Sequence, residues 1–335
     1  MAASHPKDAV KWGKYATPLL PVVSIAVLFV AGEIAMRTWH FVRFDVSFLD
    51  GQPRSEGLSP ITVDDQLGWK ATPNYRFQGT KRTSQGTKYQ VNMSQTKDGF
   101  RAFGDVASGK LKLLIIGDSF TQATGVSDEH TYYAYLKAPL GAELFAYGGS
   151  GYGSLQEFMV LDKYFDAVKP DLVIWQYAAN DFVNNSPEFE TASTLNNNGL
   201  RRPYLVNGSI RYILPKNQDR PAREFSLRYC RVCYVLLTRY DRLNAMVDVD
   251  PVEFKTAPGE SAHEMFMQAV AVTDTIMEMV RKRVGSTPIA GFIVSRGSRW
   301  GGEYVDELTN ISQRHGIVLF DIESAVLGSG REARF

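Results

Sequence analysis

Five short apolar runs, each long enough for one buried strand and too short for a helix, limit this chain more than any other feature. They are LKLLIIGD (Leu111–Asp118), AELFAY (Ala142–Tyr147), DLVIWQY (Asp171–Tyr177), PIAGFIV (Pro288–Val294) and GIVLFD (Gly316–Asp321). Unbroken apolar strands are what a parallel sheet covered on both faces requires. Helical patterns at Asp128–Leu140, Ser154–Val168, Ser261–Val284 and Gly302–Arg314 alternate with them. That alternation predicts an α/β fold with a doubly wound parallel sheet starting at residue 110. Numbering these five strands in chain order, the simplest winding is 2-1-3-4-5, with Leu111–Ile116 inside the sheet rather than at its edge.

Composition removes some function classes. The 335 residues are 44% hydrophobic and 22% charged, enough for a buried core and against disorder as the main state. Lys plus Arg number 37 against 36 Asp plus Glu, a net charge of +1, so the basic surface that nucleic acid demands is not expected. The two cysteines, Cys230 and Cys233, are too few for a disulfide framework or a four-cysteine zinc site. Their helical, apolar surroundings, LRYCRVCYVLL, predict two buried core thiols. No haem motif, nucleotide loop or metal cluster is visible, and no cofactor is expected.

Ahead of the α/β region, 18 residues between Lys14 and Glu33 carry no charge. As a helix they cover roughly 27 Å, close to the ~30 Å of a hydrocarbon core. We expect a cytoplasmic tail at 1–14 and a membrane helix at 15–36, with Pro18 and Pro21 in its first turns and aromatic anchors Trp12, Tyr15, Trp39 and Phe41 on its flanks. The tail carries +2 and the remainder −1, so the positive-inside rule places the tail in the cytoplasm and the body outside it, in the periplasm or its equivalent. A cleaved signal peptide is the alternative. Glu33, at the outer end of the span, is expected to snorkel to the interface rather than pair with a partner helix. The bilayer is the first expected partner, and other membrane-protein subunits the second.

Residues 37–109 read as a linker that becomes a small β-rich lead-in, with alternating runs in TPNYRFQG and TKYQVNMS. The α/β spacing fails once, at about 182–259, which predicts an insertion. Inside it, Asn207-Gly208 between β-rich flanks signals a hairpin. REFSLRYCRVCYVLLTRYDRL then reads as a basic amphipathic helix, whose Arg220, Arg223, Arg228, Arg231, Arg239 and Arg242 form either a lipid-head or partner-binding face or a solvated one.

Ligands of open parallel sheets bind at the carboxyl ends of strands. Three of those ends carry chemistry: GDSF (Gly117–Phe120) offers a hydroxyl, YGGSGYG (Tyr147–Gly153) offers bare backbone donors, and YAAND (Tyr177–Asp181) offers the Asn180 amide. These parts suit acyl transfer, in which a nucleophile attacks a carbonyl and fixed donors stabilise the oxyanion. On GDSF, Ser150-Gly151 and Asn180-Asp181, the chain resembles the SGNH or GDSL hydrolase family over about Leu67–Asp321, and LGWKATPNYRF with VNMSQTKDGFR is similar to a bacterial, often membrane-anchored branch. The resemblance implies a flavodoxin-like doubly wound sheet, with Ser119 as nucleophile and an oxyanion hole made by the Ser119 N–H, the Gly151 N–H and the Asn180 side chain.

The pattern departs from the family in one respect that matters for catalysis. Members close the site with Asp-x-x-His after the last strand, and here no histidine follows His315. His5, His40, His130, His263 and His315 all fall away from the predicted carboxyl edge, while Tyr147 and Ala179 stand where Asn and Gly are usual. General-base assistance is worth ~10²–10⁴-fold, so Ser119 is expected to be a vestigial nucleophile. The domain is then expected to be a disabled pseudoenzyme serving as an accessory subunit of a membrane complex. The alternatives are a truncated chain, a base lent by a partner chain, and an intact O-acyl esterase or acyltransferase acting on envelope polysaccharide or lipid.

Overall fold

The structure is a computed structural model and describes residues 13–44, 48–49, 60–83, 86–178, 180–192, 200–215, 225–226, 229–243, 262–294, 302–320 and 322. Residues 1–12 of the basic tail, Trp12 among them, Ala179, the arginines at 220, 223 and 228, and the closing segment 323–335 lie outside the described residues. In chain order the elements begin with α1 (Gly13–Phe44), β1 (Ile61–Asp64), β2 (Gly68–Ala71), β3 (Arg76–Arg82), β4 (Lys88–Ser94), β5 (Ala102–Phe103) and β6 (Lys112–Gly117). Next come α2 (Ser119–Gln122), α3 (Ala134–Leu140), β7 (Glu143–Gly148), α4 (Ser154–Val168), β8 (Leu172–Ala178), α5 (Asn180–Asn185), α6 (Pro187–Ala192), β9 (Arg202–Val206) and β10 (Ser209–Ile213). The last are α7 (Arg231–Leu243), α8 (Ala262–Val284), β11 (Ile289–Val294), α9 (Gly302–Arg314) and β12 (Ile317–Phe320). The chain divides into two units, residues 1–53 with 222–240, and residues 54–221 with 241–335.

In the larger unit six strands form one sheet in the order β12-β11-β8-β6-β7-β5. The five long strands are parallel, and the central order is the one their spacing predicts. β5 adds what the apolar runs do not reveal, a two-residue antiparallel edge strand on β7. Alternation along β6 divides its side chains between two buried clusters: Leu114 and Ile116 face one, Leu113 and Ile115 the other. The first cluster takes in apolar residues of α4, α8 and α9, including Leu161, Ile276 and Leu308. Tyr133 and Ala142 belong to the second. β1–β2 and β3–β4 are separate antiparallel pairs in the lead-in.

Two local readings hold in detail and one changes. The β9–β10 hairpin closes at Asn207-Gly208 with φ of 50° and 73°, the positive pair a two-residue type I′ turn requires. α4 and α9 have the boundaries their periodicity predicts. The helix expected over Asp128–Leu140 is instead a 3₁₀ turn at Asp128–His130 followed by α3. Thr131 interrupts it in extended conformation, its hydroxyl donating to the Asp128 carbonyl at 3.0 Å and accepting the Ala134 N–H at 3.3 Å. A side chain that competes for backbone groups favours a cap over a helix interior.

In the smaller unit α1 contains Leu20–Trp39, the one helix among the described residues long and apolar enough to cross a membrane. α1 begins at Gly13, so Pro18 and Pro21 lie beyond its first turn, each removing one intrahelical hydrogen bond. Glu33, expected to snorkel, has partners within this unit. Its carboxylate accepts from Arg37 Nε at 2.7 Å and from the backbone N–H groups of Arg231 and Val232 at 3.1 and 2.9 Å. Two further expectations are corrected here. Arg231 is buried rather than part of an exposed arginine face, its guanidinium donating to the Arg37 carbonyl at 3.4 Å. Cys230 and Cys233 are not buried thiols but a disulfide, with Cα atoms 5.1 Å apart across one turn.

One close approach ties the sheet to the turn that follows β6. A Cβ built on Gly148, at the end of β7, would lie 2.1 Å from the Gln122 backbone nitrogen and 2.6 Å from the Asp118 carbonyl oxygen. Neither backbone atom can swing away as a side chain can. Gly148→Ala is therefore expected to cost roughly 1–3 kcal/mol, the usual range for overpacking. Chemical denaturation of the two proteins side by side measures it, and an unchanged midpoint would show that β7 and α2 separate freely.

Candidate functional site

The turn bearing Ser119 is built at the carboxyl end of β6. Asp118 is buried and caps α2, its Oδ1 accepting the Phe120 N–H at 2.9 Å. Gln176, reaching across from β8, holds the turn with a single oxygen, Oε1. That atom accepts from the Asp118 N–H at 3.1 Å, the Thr121 N–H at 3.2 Å and the Thr121 hydroxyl at 2.9 Å. The Ser119 hydroxyl donates to Asp118 Oδ2 at 3.3 Å. Burial pushes the Asp118 carboxyl above the usual aspartate range, while the hydrogen bonds it accepts pull the other way.

The glycine loop after β7 is held from three directions. The Ser150 N–H donates to Gln122 Oε1 at 2.9 Å, so α2 and the loop share a side chain, and Gln122 Nε2 reaches on to the Pro60 carbonyl at 3.0 Å. From the lead-in, Trp69 Nε1 donates to the Ser150 carbonyl at 2.8 Å, and the Tyr152 hydroxyl returns to the Trp69 carbonyl at 2.8 Å. From the insertion comes Arg202, fully buried. It donates to the carbonyls of Gly151 and Asn184, its guanidinium lies 4.8 Å from the Trp69 ring centroid, and Glu190 is 3.4 Å away. Gly151 itself sits at φ 74°, where a side chain is strained.

Asn180 opens α5 at the end of β8, and its Nδ2 donates to the Tyr152 carbonyl at 3.2 Å. Since β6 pairs in parallel with β7 on one side and β8 on the other, Ser119, Gly151 and Asn180 follow the carboxyl ends of three adjacent strands. Hydrogen bonds through Gln122, Tyr152 and Gln176 join the three segments. The histidines with described side chains, other than those near the span, have partners elsewhere: His130 with Tyr135, His263 with Glu303 and His315 with Asp274. Tyr147 is buried, its ring edge-on to Phe100 at 5.1 Å and stacked with Tyr164 at 6.3 Å. Ala179 lies outside the described residues. No group of three or more His, Cys, Asp or Glu among the described residues is arranged to hold a metal.

Gln122, Gln176 and Arg202 support the site without any motif having marked them, and Trp69 lies in the LGWKATPNYRF stretch. Two left a trace: Gln176 is the polar interruption in an apolar strand, and Gln122 stands one helical turn beyond Ser119. Arg202 left none. Removing its side chain leaves the buried Glu190 carboxylate without its arginine and strips a donor from the Gly151 carbonyl. Breaking one half of a buried ion pair typically costs ~3–5 kcal/mol, so Arg202→Ala is expected to lose that much. A thermal unfolding profile indistinguishable from the parent would show that Arg202 does not hold the loop.

Behind the turn, Glu157 of α4 and Asp181 of α5 are both fully enclosed. Burial, together with the Asp181 and Asp118 carboxylates, raises Glu157 well above the usual glutamate range. Asp181 is raised as well, by burial and by Asp118, but its Oδ2 accepts the Ala178 N–H at 3.0 Å and Arg202 favours its charge. Glu157, enclosed beside two other carboxyls, binds a proton more readily in the folded chain than a free glutamate does. A folded chain that binds this proton more tightly than the unfolded one has a stability contribution that is complete below the ordinary glutamate range and is lost as pH rises through the shifted value. Glu157→Gln, which is always neutral, is expected to gain stability relative to the parent as pH is raised from about 5 to about 8. Parallel pH profiles of melting temperature would rule out a proton on Glu157.

The profile of a family described as "GDSL-like Lipase/Acylhydrolase family" matches residues 115–334. No curated protein matches the chain. Similar solved structures include AlinE4, an SGNH-hydrolase family esterase, at 14% identity and a TM-score of 0.35, covering 65% of this chain and 80% of that one. A lipase/acylhydrolase from Enterococcus faecalis has 15% identity and a TM-score of 0.33, covering 65% and 78%. The acetyl xylan esterase Est2A from Butyrivibrio proteoclasticus has 13% identity and a TM-score of 0.35, covering 70% and 59%. The expectation of a disabled pseudoenzyme is corrected by the family match, which runs from β6 through the segment that lacks the closing histidine block. A missing sequence block weighs less than a match to an acylhydrolase family over most of the α/β region. With the end of β6, the Ser119 turn, the glycine loop and Asn180 inside a matched range that spans more than half of the chain, the chain belongs to the GDSL-like lipase/acylhydrolase family.

Proposed function

We propose that the chain is a membrane-anchored serine acyl esterase or acyltransferase that acts on O-acyl groups of envelope polysaccharide or lipid. One observation carries the reading: Ser119, a glycine loop and an amide side chain follow three neighbouring parallel strands and are linked by hydrogen bonds. In this reading Ser119 Oγ attacks the acyl carbonyl. The Ser119 N–H, the Gly151 N–H and Asn180 Nδ2 receive the oxyanion, a contribution of about 10²–10³-fold for a single donor. The hydroxyl proton passes to Asp118 Oδ2, the acceptor the Ser119 hydroxyl has in the described residues. The same carboxyl then protonates the leaving alkoxide. Its raised affinity for a proton brings it closer to the operating pH than an ordinary aspartate, which suits a general base.

Placement of this domain outside the cytoplasm is supported by the +2 charge of the first 14 residues, and by a disulfide of the kind that persists in oxidising compartments. There it would meet acylated envelope polymers while α1 holds it at the bilayer.

Hydrolysis of short-chain nitrophenyl esters by the full-length protein in detergent tests the chemistry. Ser119→Ala is expected to lower kcat/KM by about 10³-fold or more. Asp118→Asn keeps the helix cap but cannot take a proton, and is expected to lose ~10²–10⁴-fold with the fold intact. In the parent kcat/KM is expected to rise with pH as Asp118 ionises. Turnover that survives Ser119→Ala would exclude Ser119 as nucleophile, and turnover that survives Asp118→Asn would place the base on another group.

A further inference from the structure

We infer that residues 229–240 form a second membrane contact, an amphipathic helix seated in the lipid interface beside α1 and docked onto it by Glu33. The inference rests on the membrane-anchored reading and adds to it a lipid-facing element outside the apolar span. A carboxylate inside an apolar span is costly unless its charge is satisfied locally. Glu33 is satisfied by the Arg37 side chain and by two N–H groups at the amino end of α7, where helix donors have no intrahelical partners. Arg37 reaches on to the Tyr229 carbonyl at 2.5 Å, and a Cβ built on Gly32 would touch the Val232 side chain at 3.5 Å. The amino end of α7 is therefore clamped to residues 32–37 of the span.

The clamp sets a depth. Glu33 precedes Trp39, the last residue of the apolar stretch, by six residues, or about 9 Å along a helix. Interfacial amphipathic helices seat their apolar faces ~5–10 Å into the headgroup–acyl boundary. The exposed face of α7 has the composition for that position. Beyond Val232, which packs on Gly32, Val235, Leu236 and Tyr240 recur at helical spacing; Leu236 and Tyr240 are each 59% exposed, and Arg239 in the same stripe carries charge suited to a phosphate headgroup. Just ahead of α7, Phe225 and Tyr229 are exposed too, their rings 4.8 Å apart. These exposed apolar side chains belong to the same unit as the exposed apolar residues of α1. The occupant that covers both is lipid.

The test is photocrosslinking of the full-length protein reconstituted in vesicles of phosphatidylcholine and phosphatidylglycerol. p-Benzoylphenylalanine is placed singly at Val27 in the span, at Leu236 in α7, and at Ile210 in the β9–β10 hairpin as an exposed control. Tyr240, an aromatic position that accepts the probe conservatively, serves as a second site in α7. The expected result is a mass increase of one phospholipid at positions 27, 236 and 240, and none at 210. Adducts at 27 alone, or protein adducts at 236 and 240, would overturn the α7 inference while leaving the anchor in place. Absence of lipid adducts at 27 would overturn the anchor reading itself, and this inference with it.

Discussion

β6 has a parallel neighbour on each side, and the rest of the α/β unit follows from that. A strand paired on both edges and covered on both faces has no polar environment along its length, so its side chains must be apolar and chemistry is confined to its end. Parallel pairing with β7 and β8 brings three carboxyl ends to one side of the sheet. A hydroxyl, a glycine loop and an amide thereby become neighbours without any contact between distant sequence segments having to be specified individually.

The strand ends are buried, so their polar groups depend on side chains in place of water. Gln176 Oε1 accepts three donors from the Ser119 turn, and Gln122 couples that turn to the glycine loop. Arg202 and Trp69 arrive from the insertion and the lead-in and hold the loop carbonyls from beneath. The lead-in and the insertion are thus part of the site's support rather than appendages to the sheet. A buried donor left unmade costs more than the bond contributes when made, which is why such a network behaves as a unit.

The smaller unit solves a similar problem in a long apolar helix. Glu33 is tolerated in the apolar helix because an arginine one turn away and the amino end of α7 absorb its charge. Here too an apparently isolated polar residue marks a contact between segments remote in sequence, residues 33 and 231.

By itself the sequence determined the elements whose signals are local. Strand and helix periodicity defined the five parallel strands and their order, Asn207-Gly208 the hairpin, and an uncharged stretch the membrane-compatible helix, because each depends on neighbours within one or two turns. The strand-end residues Ser119, Gly151 and Asn180 were legible for the same reason, as each follows a strand that could be read. Tertiary structure alone decided the rest. Gln176 interrupts an apolar strand and Arg202 stands in no motif, and the partners of both are brought close only by the fold. Glu33 read as an interfacial residue and Arg231 as part of an arginine face until packing joined them, and the two cysteines read as core thiols until one turn of chain brought their sulfurs together. Pairwise contacts across some fifty to two hundred residues leave no periodic trace in the chain, since they depend on where the fold has already placed each element.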